Sequence, residues 1–336
     1  MDVKSQQDDV RLQEIRNCLS NVIVKSSGKN VLDACLARNI RVISDDIYLR
    51  LFHGSDQTYL LTSVRESLSP LSWPKRIVID PRSIPNIKRT IAIGSGKGGV
   101  GKTSVTVGLA KSLKNKGFSV GILDADVYGP NISTVLGADE LTVETQEGPD
   151  GSVFIPPIVQ EIKVISVGLL ASKEQSLAWR GPILTRLLKQ FMYDVQWGDL
   201  DFLLIDLPPG TGDPQITVLQ ESPVVSVLLV GVPGASSYAD LNRTVTMYRQ
   251  FGLPIMGYVE NFSSIVCPEC GASFPFLLDQ CQDNQLKPFD SEIDLLVRLS
   301  VMPELLSRQN DMVLTSLESV HPKEFAKLAA KTSSLL

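Results

Sequence analysis

The fold of this chain is decided by one short stretch, Gly94-Ser95-Gly96-Lys97-Gly98-Gly99-Val100-Gly101-Lys102-Thr103-Ser104. It satisfies the pattern G-x-x-x-x-G-K-[ST], whose fixed places are filled by Gly96, Gly101, Lys102 and Thr103. The apolar run Arg89–Ile93 precedes it, and the run Val105–Leu113, with helical spacing, follows it. The stretch therefore predicts a loop between a strand and a helix, the context in which this motif binds phosphate.

The residue types in this loop explain why it would bind phosphate. Glycines allow backbone N–H groups to curl around a phosphate, and the N-terminus of the following helix adds a positive dipole. Lys102 then supplies a point charge to the β- and γ-phosphates, and the Thr103 hydroxyl can bind Mg²⁺. The residues predicted to bind the nucleotide are Gly96, Lys97, Gly98, Gly99, Val100, Gly101, Lys102, Thr103 and Ser104.

Lys97 is an unusual residue for such a loop. It follows the first glycine directly, so it cannot easily fold back onto phosphates that its own loop already encloses. It can reach outward to the nucleotide of a facing subunit. The alternative is an ordinary solvated surface lysine.

Composition limits the classes of protein to which the chain can belong. Its 336 residues, 43% hydrophobic and 21% charged, can bury a large core, and two domains are expected. A net charge of −5 argues against nucleic acid as a partner. The longest apolar run, Val224–Val232, ends at Pro233 and is too short to span a membrane, so no membrane association is expected. Five cysteines, unevenly spread, predict a reducing cytoplasm rather than a disulfide framework.

Two domains are predicted, a small α+β domain over residues 1–83 and an α/β domain over residues 84–336. In the first, the patterns predict helices at 10–24, 31–38 and 58–68, and strands at 40–44, 47–52 and 76–80, with Asp45-Asp46 as a turn. In the second, they predict strands near 89–94, 118–123, 162–168, 201–206, 224–231, 254–260 and 297–302. Helices are predicted near 102–116, 182–197, 236–251 and 321–334. Because the strands are apolar throughout, they predict a parallel sheet covered by helices on both faces.

Two of these strands end in aspartates, at the sheet edge where α/β proteins bind ligands. Of Asp124 and Asp126, one can lie near Mg²⁺ and the other can orient an attacking water. The alternative is an Asx turn that caps a helix. Asp206, after four apolar residues, is typical of a Walker B carboxylate that holds a Mg²⁺-bound water. A purely structural turn would explain the Pro and Gly residues behind it but not an aspartate at the strand tip.

Cys267 and Cys270 form a C-x-x-C pair. Two thiolates can bind a soft metal centre from one side, whereas a four-cysteine site would need a second pair from a two-fold dimer. A redox dithiol, half of a Zn²⁺ site and a pair without metal are alternatives that the spacing alone leaves open. Cys281 is a third ligand, a small buried hydrophobic residue or an incidental thiol.

Longer stretches resemble one known family. Gly-Lys-Gly-Gly-Val-Gly-Lys-Thr, at 96–103, resembles the deviant Walker A loop of the SIMIBI-class ATPases, which include the MinD/ParA and Mrp/ApbC families. Asp-Ala-Asp-Val-Tyr-Gly-Pro-Asn at 124–131, Trp-Arg-Gly-Pro at 179–182 and Asp-Leu-Pro-Pro-Gly-Thr-Gly-Asp at 206–213 resemble the Mrp/ApbC branch in particular. The resemblance covers about residues 87 to 275.

This resemblance implies an ATP-hydrolysing homodimer that carries an iron–sulfur cluster to apoproteins, with assembly scaffold proteins as further partners. It implies that Lys97 acts across the dimer, with Lys102 and Asp126 as the other catalytic residues. Thr103, Asp124 and Asp206 would hold Mg²⁺, and Asn261 would contact adenine. By the same resemblance, Cys267 and Cys270 would share a bridging [4Fe–4S] cluster with a second subunit.

Some segments depart from the family pattern. The residues after Cys270 lack the family's glycine-rich segment, and Val301-Met302-Pro303-Glu304 replaces its usual strand end. The N-terminal domain resembles a small domain often fused to Mrp proteins but lacks that domain's Asp-Pro-Glu and Thr-x-x-x-Cys-Pro signatures, so it is read as an interaction module. The competing hypothesis for the whole chain is a MinD/ParA-like positioning switch without a cluster.

Overall fold

A computed structural model describes residues 3–127, 129–138, 141–148, 151–169, 181–275, 293–302 and 317–336. The N-terminal part contains α1 (Val3–Leu19), β1 (Ala37–Ile43), β2 (Asp46–Phe52), α2 (Tyr59–Leu68) and β3 (Arg76–Arg82). Its three strands form a sheet in the order β1-β2-β3, in which β1 and β2 are antiparallel and β2 and β3 are parallel. This part has an apolar cluster that includes Ile15, Leu51 and Val64.

Two predictions for this part need correction. The segment 31–38 is not a helix, because Asn30 Oδ1 accepts hydrogen bonds from two successive backbone N–H groups and Cys35 has a left-handed φ of 53°. The turn between β1 and β2 lies at Ser44 and Asp45, which both have positive φ, and Asp46 already belongs to β2. The first helix was predicted at 10–24 and lies at Val3–Leu19.

The larger part of the chain alternates strands and helices. Its strands are β4 (Ile87–Ser95), β5 (Val120–Asp124), β6 (Glu144–Gly148), β7 (Gly151–Ile155), β8 (Ile158–Val159), β9 (Ile162–Ser166), β10 (Leu200–Asp206), β11 (Val224–Gly231), β12 (Ile255–Glu260), β13 (Ser264–Val266), β14 (Ser273–Pro275) and β15 (Leu295–Arg298). Its helices are α3 (Lys102–Asn115), α4 (Ile132–Leu136), α5 (Gly181–Tyr193), α6 (Asp213–Glu221), α7 (Ala235–Gln250), α8 (Leu317–Val320) and α9 (Pro322–Ser333). A 3₁₀ turn lies at Val167–Leu169.

Eight of these strands form one sheet in the order β15-β12-β11-β4-β10-β5-β9-β8. Neighbouring strands are parallel, apart from the short antiparallel pair β8 and β9. Phe202 and Leu203, adjacent on β10, belong to apolar clusters on opposite faces of this sheet. The predicted parallel α/β sheet with both faces covered is therefore confirmed.

Several elements were missed or misplaced by the sequence patterns. Helix α6 and the hairpins β6–β7 and β13–β14 were not predicted. The helix predicted at 182–197 ends at Tyr193, and the strand predicted at 297–302 lies at Leu295–Arg298. These elements are short, and a short element leaves only a weak periodic signal. Among the described residues, no helix is both long and apolar enough to cross a membrane.

The register of the central strands builds the ligand-binding edge. Asp206 at the end of β10 is paired with Asp124 at the end of β5 and with Ile93 of β4. Because parallel strands end at the same edge, both aspartates lie beside the loop that follows β4.

Candidate nucleotide site and cysteine hairpin

The glycine-rich loop connects β4 to α3 as the motif predicts. Gly101 caps α3 with a left-handed φ of 81°, and a Cβ there would lie 2.2 Å from Asn261 Nδ2. A Cβ on Gly96 would lie 2.6 Å from the backbone N of Leu241. These two positions admit only glycine without local rearrangement.

Lys102, the first residue of α3, points into a buried cluster of charges. Its Nζ atom lies 2.9 Å from Asp206 Oδ1 and 4.0 Å from Asp126 Oδ2. The closer contact is an ion pair without hydrogen-bond geometry, and this buried ammonium group makes no hydrogen bond to any described residue. A phosphate oxygen would supply the hydrogen-bond acceptor that Nζ lacks.

Asp206 is fully buried and is contacted by polar groups on both of its oxygens. Thr103 Oγ1 donates to Oδ2 at 2.7 Å, and Thr106 Oγ1 donates to Oδ1 at 2.8 Å. A threonine hydroxyl beside carboxylates forms a set of hard oxygen donors, the kind that Mg²⁺ prefers. The residues predicted to hold Mg²⁺ therefore fit that ion.

Asp124 is also buried, and its hydrogen bonds fix both oxygens. Oδ1 accepts from the backbone N–H of Asp126 at 3.0 Å, and Oδ2 accepts from Ser166 Oγ at 2.9 Å. Burial, and then the neighbouring charge of Asp206, raises the pKa of Asp124 to about 7, although Lys102 and the hydrogen bonds act in the opposite direction. A cation at this edge would favour the ionised form.

The glycine-rich loop and the residues after β5 line a pocket that is open to solvent. Lys97, which is half-buried, lies on the loop side of this pocket. Asp126, Asn131, Thr134, Pro209 and Phe262 also line it. The pocket lining therefore combines the lysines and backbone N–H groups of the loop with a carboxylate and an aromatic ring, a set of groups suited to a nucleotide.

Cys267 and Cys270 lie at the tip of a small hairpin formed by β13 and β14. Cys267 N donates to Ala272 O at 2.9 Å, Gly271 N donates to Cys267 O at 3.0 Å, and Gly271 has a left-handed φ of 72°. The Cys267 thiol accepts hydrogen bonds from the backbone N–H groups of Cys270 and Glu269, and these lower its pKa. The turn thus favours the thiolate, which is the form that binds metal.

These geometries can be compared with known proteins. A sequence model of the ParA family, described as NUBPL iron-transfer P-loop NTPase, matches residues 86–333. The chain belongs to this family of P-loop NTPases.

Relatives support the same assignment. A protein of Helicobacter pylori named iron-sulfur cluster carrier protein is 33% identical over 344 residues, which cover 96% of this chain and 92% of that protein. A protein of the same name from Synechocystis is 44% identical over 190 residues, 56% of this chain and 54% of its own length. The chain thus matches about half of that relative. The resemblance to Mrp/ApbC proteins is confirmed.

A solved structure agrees with the fold. The nucleotide-binding protein of Archaeoglobus fulgidus, in complex with ADP, is 29% identical and has a TM-score of 0.53, covering 73% of this chain and 89% of that one. The P-loop NTPase fold predicted from the loop is therefore confirmed.

The roles of the other predicted site residues stay predictions. Asn261, expected to contact adenine, is buried and donates from Nδ2 to Val100 O at 2.9 Å, while its Oδ1 has no hydrogen-bond partner among the described residues. The role of Lys97 across a dimer also stays a prediction. Cys281, Trp179 and Arg180 lie outside the described residues.

Sequence reasoning missed two hydroxyl groups of this site. Thr106 donates to Asp206, and Ser166 donates to Asp124. Thr106 could have been found, since it lies three residues after Thr103 on the same face of one helix. Ser166 lies on a strand far away in sequence, and only the sheet order brings it beside Asp124.

Proposed function

We propose that this chain binds and hydrolyses ATP and carries an iron–sulfur cluster, which it passes to apoproteins. One observation carries the proposal: a single segment connects the nucleotide pocket to a pair of thiols. Phe262 lines the pocket, and the chain runs from it through β13 to Cys267. A change in the nucleotide could therefore be transmitted to the cysteines over a few residues.

The chain's own residues account for the binding of ATP. The loop N–H groups and Lys102 would hold the phosphates, and Thr103, Asp124 and Asp206 would hold Mg²⁺. When bound, Mg²⁺ neutralises charge on the β- and γ-phosphates. Lys97 would complete the site of the facing subunit in a homodimer.

Asp126 is the proposed residue for orienting water. It is half-buried in the pocket wall, with Oδ2 4.0 Å from Lys102 Nζ. In hydrolysis, the water oxygen bonds to the γ-phosphorus while the bond to the bridging oxygen breaks and ADP leaves with the electron pair. A carboxylate at this place can accept a hydrogen bond from the water and align it for attack.

The cluster is the cargo, and Cys267 and Cys270 would be its ligands. Among the described residues, no group of three or more His, Cys, Asp or Glu side chains could hold a metal. One hairpin offers two thiolates, so two subunits would supply the four that a [4Fe–4S] cluster needs. Apoproteins and assembly scaffold proteins would be the partners, and the cytoplasm the compartment.

Cluster transfer tests this function. The chain is loaded with iron and sulfide without oxygen and mixed with an apoprotein that requires a [4Fe–4S] cluster, whose regained activity is measured. We expect transfer from the wild type and none from Cys270→Ala, which lacks a ligand. A loaded wild-type chain that keeps its cluster in the presence of ATP and of excess acceptor would contradict carriage.

A further inference from the structure

Thr106 contacts Asp206 but does not line the nucleotide pocket. Its side chain is fully buried in α3, one turn after Thr103. Its Oγ1 lies 2.8 Å from Asp206 Oδ1 and 3.0 Å from the backbone oxygen of Lys102. A hydroxyl has one proton, and the carboxylate is both the closer and the charged acceptor, so the proton points to Asp206.

Side chains of three described residues contact the Asp206 carboxylate. Lys102 and Thr106 contact Oδ1, and Thr103 contacts Oδ2. The proposed function assigns two of these three groups to ATP and Mg²⁺. Lys102 would turn to the phosphates, and the Thr103 hydroxyl would bind the metal.

Of these three groups, Thr106 is the one to which the proposed function assigns no role toward ATP or Mg²⁺. Leaving an oxygen of a fully buried carboxylate without a hydrogen-bond donor costs free energy, and such a carboxylate rotates or takes up a proton. The Thr106 hydroxyl, if it stays hydrogen-bonded to Asp206 Oδ1, keeps Asp206 Oδ2 directed toward Thr103.

We propose that Thr106 is a positioning residue that holds Asp206 in the orientation required for Mg²⁺-dependent nucleotide binding. This role rests on the proposed ATP binding and adds to it a residue outside the phosphate-loop motif. Thr106 acts through Asp206 and does not line the pocket.

Two substitutions separate the hydroxyl from the shape of the side chain. Thr106→Val keeps the branched shape and removes the donor, and Thr106→Ser keeps the donor and removes a methyl group. Thr332→Val is the matched control, because Thr332 is also fully buried in a helix and donates to the carbonyl four residues back, at Leu328. Thr332 lies in α9 and lines no part of the pocket.

The affinity for a non-hydrolysable ATP analogue is measured by calorimetry for each full-length variant, once with Mg²⁺ and once with EDTA. A hydrogen bond to a charged group contributes about 1.5–3 kcal/mol, so Thr106→Val should lose about tenfold or more of the affinity gain that Mg²⁺ gives. The affinity in EDTA should change little. Thr106→Ser and Thr332→Val should keep the wild-type gain.

Other outcomes would overturn the proposal. An unchanged Mg²⁺ gain in Thr106→Val removes the role of the hydroxyl. A Thr106→Ser variant that loses as much of the gain as Thr106→Val would assign the effect to packing. If the wild type binds no analogue under either condition, the proposed function fails as well, and that result is distinguishable from a failure of Thr106 alone.

Discussion

Lys102 and Asp206 form the charged centre of the site. Their ion pair is buried, and the lysine ammonium makes no hydrogen bond among the described residues. Breaking a buried pair by removing one partner leaves an uncompensated charge, so neither residue can be exchanged without consequence for the site. Lys97, by contrast, lies half-buried on the loop.

The two lysines should therefore give different phenotypes. Lys102→Ala should abolish ATP binding, because it removes the cation beside the β- and γ-phosphates. Lys97→Ala should bind ATP almost normally but lose hydrolysis and the ATP-dependent tightening of a dimer, if it acts across subunits. Calorimetry and sedimentation measure these properties. An equal loss of affinity in both variants would rule out a role for Lys97 across the dimer.

Asp126 should matter for turnover more than for binding. Asp126→Asn keeps the shape of the side chain but weakens its ability to accept a proton or orient water. We expect near-normal affinity for ATP with Mg²⁺ and hydrolysis slower by about 10²-fold or more. Phosphate release is the measurement, and undiminished turnover would remove Asp126 from the mechanism.

Asp124 should make the stability of the chain depend on pH. Its folded-state pKa is about 7, above the ordinary value of 3.8, so the folded state holds more protons between these two values. Its contribution to the free energy of unfolding is present at low pH and is lost as pH rises through about 7. Urea unfolding in EDTA, from pH 5 to pH 8, should show the wild type losing stability relative to Asp124→Asn. A difference that does not vary with pH would contradict this assignment.

At the scale of elements, α6 connects the site to the N-terminal part. It begins after the Pro-Pro-Gly segment that follows Asp206, and arginines from the N-terminal part contact its carboxyl end. Arg38 donates to Leu219 O of α6 at 3.3 Å and to Val224 O, at the start of β11, at 2.6 Å, and Arg50 lies 3.7 Å from Glu221 of α6. Cations are favourable at the C-terminus of a helix, so these contacts stabilise the docking of the two parts.

Arg38 should contribute most to this docking. It stacks on Phe52 at 4.3 Å, and its burial lowers the pKa to about 10. Arg38→Ala removes charge-assisted hydrogen bonds, each worth about 1.5–3 kcal/mol, and should lower the melting temperature measured by calorimetry. The exposed Arg65→Ala is the control and should leave it unchanged. An unaffected melting temperature in Arg38→Ala would show that the docking does not depend on this residue.

The elements also show what a sequence can and cannot predict. The phosphate loop and the strands of the large sheet could be predicted, because a local motif and continuous apolar runs fix them. The prediction of a helix at 31–38 was wrong because the apolar residues there have helical spacing, whereas the hydrogen bonds of Asn30 and the left-handed Cys35 form a turn. Ser166 could not be assigned to the site, since its contact depends on the order of strands in the sheet.

At the scale of the whole molecule, the described residues combine a nucleotide site with one cysteine hairpin, and the predicted domain boundary at residues 83 and 84 stays a prediction. A four-thiolate site at the hairpin requires two subunits, because Cys267 and Cys270 supply only half of it. Cys18 and Cys35 lie in the N-terminal part, away from this hairpin in sequence.

The most direct test of cluster carriage is the count of iron and sulfide per dimer after reconstitution without oxygen. We expect about four iron and four sulfide per dimer, with visible iron–sulfur absorbance. Cys267→Ala or Cys270→Ala should lose both while ATP binding survives, and Cys18→Ala and Cys35→Ala should keep the cluster. A chain that binds one Zn²⁺ tightly and no iron under these conditions would contradict the account and leave a metal-stabilised ATPase.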